Sequence, residues 1–381
     1  MRKLLVHVVV VGLIFVLSIP VFAQEKALED RVKALENAIG SINIYGSLRF
    51  QTFYNDTSNI DANTRLKSDA VGDDKGLRWD VAGNARFGTM VTKDKITGVY
   101  EIGLDDDASV YTRLIYATYN FGSGTVLIGQ DFTPLGRIAY SNQVFGDDLD
   151  LTGWGAVYEG RTPQVRFMFK GLEIALIEDK GSSKLLKASD TADVDVLMPK
   201  IEVRYNFKQD NFFADVFGGF FSFEVEDVVY DGVNCGDETV NSWLVGLGGG
   251  VNLDPVYVRA QAYYARNARN FNLEHTDARG AKFDATGDLV NEDNFGAEFI
   301  VGTKIDKYTI EAGVGYVSSE WDESGSKADN AMSYYLNAVV PIYGSFFVVP
   351  EIGVLDYLDG RDGKDEDKDL VYVGAKWQIN F

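Results

Sequence analysis

The sequence predicts an all-β protein, a 16-stranded antiparallel transmembrane β-barrel with a short N-terminal helix after a signal peptide, and three observations carry that prediction. The last eleven residues, VYVGAKWQINF, set Val371, Val373, Ala375, Trp377, Ile379 and Phe381 on one face and Tyr372, Gly374, Lys376, Gln378 and Asn380 on the other. Period-two alternation over about ten residues, closing on an aromatic, describes a strand with one face toward hydrocarbon and one toward water. Sixteen such segments follow one another from residue 42 onward. Tight and long polar connections take turns between them, as they do when a barrel carries its turns at one end and its loops at the other.

The chain begins with Arg2 and Lys3, an apolar run from Leu4 to Leu17, and Val21-Phe22-Ala23 where a signal peptidase would cut. Residues 1–23 therefore read as a signal peptide, with the mature start at Gln24. Ser18 and Pro20 and the shortness of the run argue against a retained membrane helix. Residues 24–40 read as a short periplasmic helix. Leu28, Val32, Leu35 and Ile39 form an a/d seam, and Glu29 stands four residues before Lys33. Two heptads are too short to hold alone in water. A coiled coil between protomers already joined is the expectation, against a lone amphipathic helix on the barrel mouth. Gly40 ends the helix.

The barrel is expected over 41–381. Its strands fall near 42–54, 76–90, 95–104, 110–121, 124–131, 161–170, 171–178 and 197–207, then near 211–223, 239–252, 255–266, 293–305, 307–318, 330–341, 344–356 and 369–381. Tight turns are expected at Thr92 to Asp94, Gly122-Ser123, Lys170-Gly171, Lys208 to Asp210, Leu253-Asp254, Asp306 and Ile342-Tyr343. Long loops are expected at 55–75, 132–160, 179–196, 224–238, 267–292, 319–329 and 357–368, with a short one at Asp105 to Ser109. An even strand count leaves both termini at the turn end.

Parity within strands agrees. In GLRWDVAGNARFG, Leu77, Trp79, Val81, Ala85 and Phe87 oppose Arg78, Asp80, Asn84 and Arg86. In the strand from Pro199, Ile201, Val203, Tyr205 and Phe207 oppose Lys200, Glu202, Arg204 and Asn206. A soluble sandwich also alternates, but sixteen strands in one meander with long loops on one side fit it poorly. Phe 24, Tyr 20 and Gly 39 against Pro 7 suit successive hairpins with aromatic belts. Cys235 is the single cysteine, so no intrachain disulfide can form. A net charge of −21 argues strongly against nucleic acid as a partner. After the signal, no stretch of about 18 apolar residues recurs.

The stretch TRLIYATYNFGSGTVLIGQDFTPL, Thr112 to Leu135, resembles the general bacterial trimeric porins, and YGSLRF at 45–50, NARFG at 84–88, GLEIAL at 171–176 and the final aromatic add to the likeness. LMPKIEVRYNF and the N-terminal heptads are similar to porins of sulfate-reducing and related bacteria. The resemblance covers essentially the whole mature chain in layout, through short motifs. It implies a homotrimer of sixteen-stranded barrels in the outer membrane of a Gram-negative bacterium, each with a water-filled pore narrowed by an inward-folded third loop. Loops would be extracellular, meeting lipopolysaccharide, and termini periplasmic.

By the same resemblance, carboxylates of the third loop face arginines on the opposite wall. Arg113 and Arg86 match the family's wall positions, and Arg49 is a further candidate. Arg78 is assigned from parity alone. The loop near 132–160 supplies Arg137 and the acidic cluster Asp147, Asp148 and Asp150, although TPLGRIAY stands where enterobacterial loops carry a PEFGGD-like sequence. An inward arginine stays solvated in a wet lumen, whereas on the lipid face it would cost roughly 2 to 4 kcal/mol at midplane. Charges in a narrow, low-dielectric passage bias which ions enter. For each arginine the alternative is a plain interior ion pair.

The resulting expectation is passive diffusion of ions and small hydrophilic solutes, with a mild cation preference from the acidic loops and no cofactor. A substrate-specific anion channel, of sulfate or phosphate type, is the alternative; a structural or adhesive barrel with a plugged lumen is a third. LDGRDGKDEDKD at 358–369 lacks EF-hand ligand spacing and reads as a solvated loop. His275, the one histidine after the signal, sits in a polar loop, so no enzyme activity is expected.

Overall fold

The computed structural model describes residues 28–29, 31–32, 40–56, 75–104, 109–138, 140–179, 193–230, 233–273, 280–284 and 288–381. Leu28, Glu29, Arg31 and Val32 are helical; apart from these and Gly40, the expected signal and coiled-coil segments lie outside the described residues, as does His275. Strand β1 is Ser41–Asp56, and β2 runs in two pieces, Lys75–Val81 and Arg86–Lys93. Then come β3 (Ile96–Leu104), β4 (Val110–Asn120), β5 (Thr125–Phe132), β6 (Arg161–Phe169) and β7 (Leu172–Ile177). β8 is Lys200–Gln209 with a short outlier, Asp193–Asp195. The series ends with β9 (Phe212–Tyr230), β10 (Val233–Leu253), β11 (Val256–Arg266), β12 (Glu292–Ile305), β13 (Tyr308–Trp321), β14 (Asp329–Tyr343), β15 (Phe346–Asp359) and β16 (Asp365–Asn380).

Each strand pairs antiparallel with its neighbours in sequence, and β1 pairs with β16 from Ser47↔Asn380 to Asp56↔Val371, so the sheet closes into a sixteen-stranded barrel. Gly46 and Phe381 exchange two backbone hydrogen bonds, 2.8 and 3.1 Å, that seal the seam at the final residue. The predicted parity of β16 holds: Val371, Val373, Trp377 and Ile379 are exposed on the outer wall, and Tyr372, Lys376 and Gln378 are buried inside. In β8, Val203, Tyr205 and Phe207 face out, and Lys200 and Glu202 are buried within. On β2, Leu77 and Trp79 are among the most exposed apolar side chains.

Tight turns occupy Asp94-Lys95, Asp210-Asn211, Asp306-Lys307 and Gly344-Ser345, among others, all at the barrel end where β1 begins and β16 finishes. Asp94, Asp210 and Asp306 adopt positive φ of 55°, 40° and 55°, a conformation that short polar side chains tolerate. The last turn lies two residues beyond Ile342-Tyr343 because Gly344, φ 53°, supplies the left-handed step.

Three local expectations differ from the fold. Ala85 is not on the lipid face: Ala82 to Ala85 leave the strand as an inward bend, with Ala82 N donating to Arg49 O at 3.1 Å and Ala85 N to Ala82 O at 2.8 Å, and Ala85 is buried. Residues 224–238 do not form a long loop; β9 and β10 continue through them as a hairpin, because Val225, Val228 and Val240 pack into an apolar cluster. Residues 357–368 are largely strand, joined by the turn at 360–364. The wall is therefore uneven. At about 3.3 Å per residue, β7 with 6 residues is about 20 Å long, while β10 with 21 is about 70 Å.

Inside the wall, aromatic rings lie flat against glycines of the next strand. A Cβ on Gly302 would stand 2.1 Å from Tyr257 Cζ, and one on Gly353 2.2 Å from Tyr372 Oη, so only glycine admits these rings. Both are direct cross-strand pairs.

Candidate functional site

The lumen is shaped by residues 133–160, which leave β5, cross the interior and return to β6. Sequence explains the inward course in part. Leu135, Ile138, Tyr140 and Val157 are apolar and join Phe217, Phe221, Phe223 and Phe271 in one buried cluster. Val144, Phe145, Leu151 and Trp154 join Phe53, Tyr335, Tyr357 and Tyr372 in a second. Phe145 stacks on Tyr372 at 4.0 Å and 10°, and Phe53 meets Phe145 edge-on at 5.3 Å.

Polar contacts then fix the loop's path. Leu135 N donates to Glu202 (3.0 Å), Tyr140 N to Glu298 (3.1 Å), Asn142 N to Glu311 (2.7 Å), and Val144 N and Phe145 N to the two oxygens of Glu351 (2.7 and 2.9 Å). Four inward glutamates on β8, β12, β13 and β15 thus serve as acceptors for successive backbone N–H groups. All four are at most 3% exposed. A buried carboxylate is tolerated when charge-assisted hydrogen bonds replace water.

The loop's tip reaches the opposite wall. Gly146, Asp147 and Asp148 take left-handed φ of 62°, 71° and 60°, which turns the two carboxylates toward β1, β2 and β16. Asp148 accepts from Arg49, from Lys376 Nζ at 2.5 Å, and from Asn84 Nδ2 at 3.1 Å, while Asn84 N donates to Asp147 at 2.7 Å. Asn84 belongs to the inward bend of β2, so that bend provides the socket for the tip. Burial alone would raise Asp148, but Lys376 and then Arg49 hold it below the ordinary carboxylate range. Burial raises Asp147 to about 6, partly offset by the Asn84 N–H and reinforced by Asp148. Burial, then the neighbouring Asp148, pushes the Asp150 carboxyl well above its usual value.

The eight residues singled out by sequence fall into distinct places. Arg49, Asp147 and Asp148 meet at the tip. Arg86 neighbours Arg49 and Arg113 electrostatically, is only partly buried, and makes no hydrogen bond or ion pair among the described residues. Arg113 is 2% exposed; its Nε donates to Glu101 at 2.7 Å and Nη1 to Tyr111 Oη at 3.2 Å, so its charge is engaged within the wall. Arg78 pairs along its own strand with Asp80 at 2.6 Å, apart from the tip contacts. Asp150 N donates to Gln143 O at 3.1 Å. Arg137 ends the short turn Pro134–Arg137, and its side chain lies outside the described residues. Sequence reasoning did not single out Lys376, Asn84, Glu101 or the four wall glutamates. Parity had turned Lys376, Asn84 and Glu202 inward; nothing marked what they would bind.

This architecture is the porin fold: a closed barrel of sixteen antiparallel strands whose third loop lies in the lumen and touches both walls. No family model and no curated protein matches the sequence. Among solved structures, the outer membrane channel DcaP of Acinetobacter baumannii is similar over 90% of this chain and 97% of its own, with 18% identity and TM-score 0.64. The anion-selective porin from Comamonas acidovorans matches over 90% and 99%, with 12% identity and TM-score 0.56. The trimer form of OmpT, an outer membrane protein of Vibrio cholerae, matches over 90% and 99%, with 15% identity and TM-score 0.57. At these identities the likeness establishes the fold.

Proposed function

We propose that this chain, after loss of residues 1–23, is an outer-membrane porin that lets ions and small hydrophilic solutes diffuse passively across the membrane, with the inward third loop as its constriction. It does no chemistry on them. The observation that carries this reading is the closed barrel itself, greasy outside and charged inside, with a loop tip held between Arg49, Lys376 and the wall glutamates. Tight turns and both barrel termini would face the periplasm, and long loops the exterior and its lipopolysaccharide. The homotrimer has support from the trimeric form of one similar structure, and residues 24–40 would pair between protomers below it.

Proteoliposomes in solutions of neutral sugars of increasing size test it. Swelling rates should fall smoothly with solute size and rise linearly with concentration. Saturable uptake of one solute would instead identify a substrate-specific channel, and no swelling with folded protein would refute a diffusion pore.

A second reading, that the constriction prefers anions, is favoured by Arg86. The acidic outer loops alone suggest a mild cation preference, yet at the tip Asp148 is matched by two cations, and Arg86 has no ion-pair partner among the described residues. Reversal potentials in a salt gradient separate the two.

A further inference from the structure

Lys200 opens β8 and points into the lumen, 2% exposed, inside the first apolar cluster. Its Nζ is paired with Glu159, lies 2.5 Å from Asp179 just past β7, and donates to Asn270 O at 3.1 Å between β11 and β12. The rings of Phe221 and Phe271 stand 5.8 and 5.7 Å from it. One ammonium therefore ties together three connections that the sequence separates widely.

Glu159 is the informative partner. It accepts from Thr133 Oγ1 at 3.4 Å, its backbone oxygen accepts from Asn272 Nδ2 at 3.0 Å, and next to it Gly160 O accepts from Thr133 N at 3.2 Å. Thr133 and Gly160 are the two stems of the third loop, so Glu159 sits at its neck. The neck meets the barrel wall through Lys200.

A buried ammonium is costly unless closely paired, and removing it leaves Glu159 and Asp179 facing one another without their counter-charge. We propose that Lys200 is the positioning residue of the constriction, clamping the neck of the third loop so that its tip stays seated against Arg49 and Lys376. It touches no solute; it sets how far the loop can swing.

The proposal rests on the diffusion pore proposed above and is tested by single-channel recording of the full-length mature protein in planar bilayers. Lys200→Met and, separately, Glu159→Gln should each broaden or split the conductance of a pore relative to the wild type and give faster current noise. Lys200→Arg, which keeps the charge, should sit nearer the wild type. Heat-modifiable migration on gels confirms that each barrel is folded, and Glu159→Gln supplies the test if Lys200→Met does not fold. Folded Lys200→Met and Glu159→Gln with wild-type level and noise would overturn the clamp. A wild type that conducts nothing would instead defeat the pore reading, so the two failures are distinguishable.

Discussion

Asp147 and Asp148 are adjacent in the chain and titrate in opposite directions. Asp148, gripped by Lys376 and Arg49, keeps its charge, whereas Asp147, enclosed with one N–H donor, titrates at about 6. Lowering pH from 7 to 5 should therefore neutralise Asp147, leave Asp148 charged, and make the tip more positive. The reversal potential should shift toward anions on acidification, and Asp147→Asn should show the low-pH value at pH 7 with most of the shift abolished. An unchanged shift in that variant would assign it elsewhere. At this scale sequence was informative about position and silent about partners. Arg49, Arg86 and Asp148 could be proposed for the lumen, but the engagement of Arg113 by Glu101 depends on two side chains meeting across neighbouring strands. Residue order alone does not specify that contact.

Among the elements, the third loop is the one whose placement was least legible. Its contacts with the wall glutamates are made by backbone N–H groups, which every residue but proline carries, so no motif announces Glu202, Glu298, Glu311 or Glu351 as their acceptors. Glu351→Ala would strand Val144 N and Phe145 N and leave Asn337 Nδ2 only its bond to Asn142 O, and each donor left unsatisfied costs about 1–3 kcal/mol. Thermal melting in detergent should move down, and single-channel noise should rise if the loop loosens. The strands were far more legible, since outer side chains must be apolar while inner ones need not be. That contrast fails in FFADVFGGFFSFE, where Phe220 faces out at 39% exposed and Phe221 and Phe223 face a packed interior at 0%. It fails again at Ala82 to Ala85, where even spacing continues but the backbone bends inward. Gly302→Val would push on Tyr257 and should destabilise the barrel by about 1–3 kcal/mol, read from its unfolding temperature.

Taken as a whole, the molecule is a cylinder with an uneven wall and a partly filled interior. Two apolar clusters occupy the lumen beside β9 to β12 and beside β13 to β16, which the expectation of a uniformly wet interior did not include. The outer surface follows bilayer physics. Leu247, 67% exposed on β10, lies about 14 Å from the tight turn along a strand tilted about 45°, near the middle of the apolar band. Leu247→Arg should cost roughly 2 to 4 kcal/mol in folding titrations into lipid vesicles, against about 0–1 kcal/mol for Tyr343→Arg beside the last turn. Equal costs would mean that the outer wall does not face hydrocarbon.

Whether the cylinder carries an aqueous path is tested most directly by recording purified, heat-modifiable protein in planar bilayers. An open pore gives stepwise insertions, each adding an ohmic conductance that grows with salt concentration. Folded protein that enters the bilayer and leaves the current at the lipid baseline would contradict it.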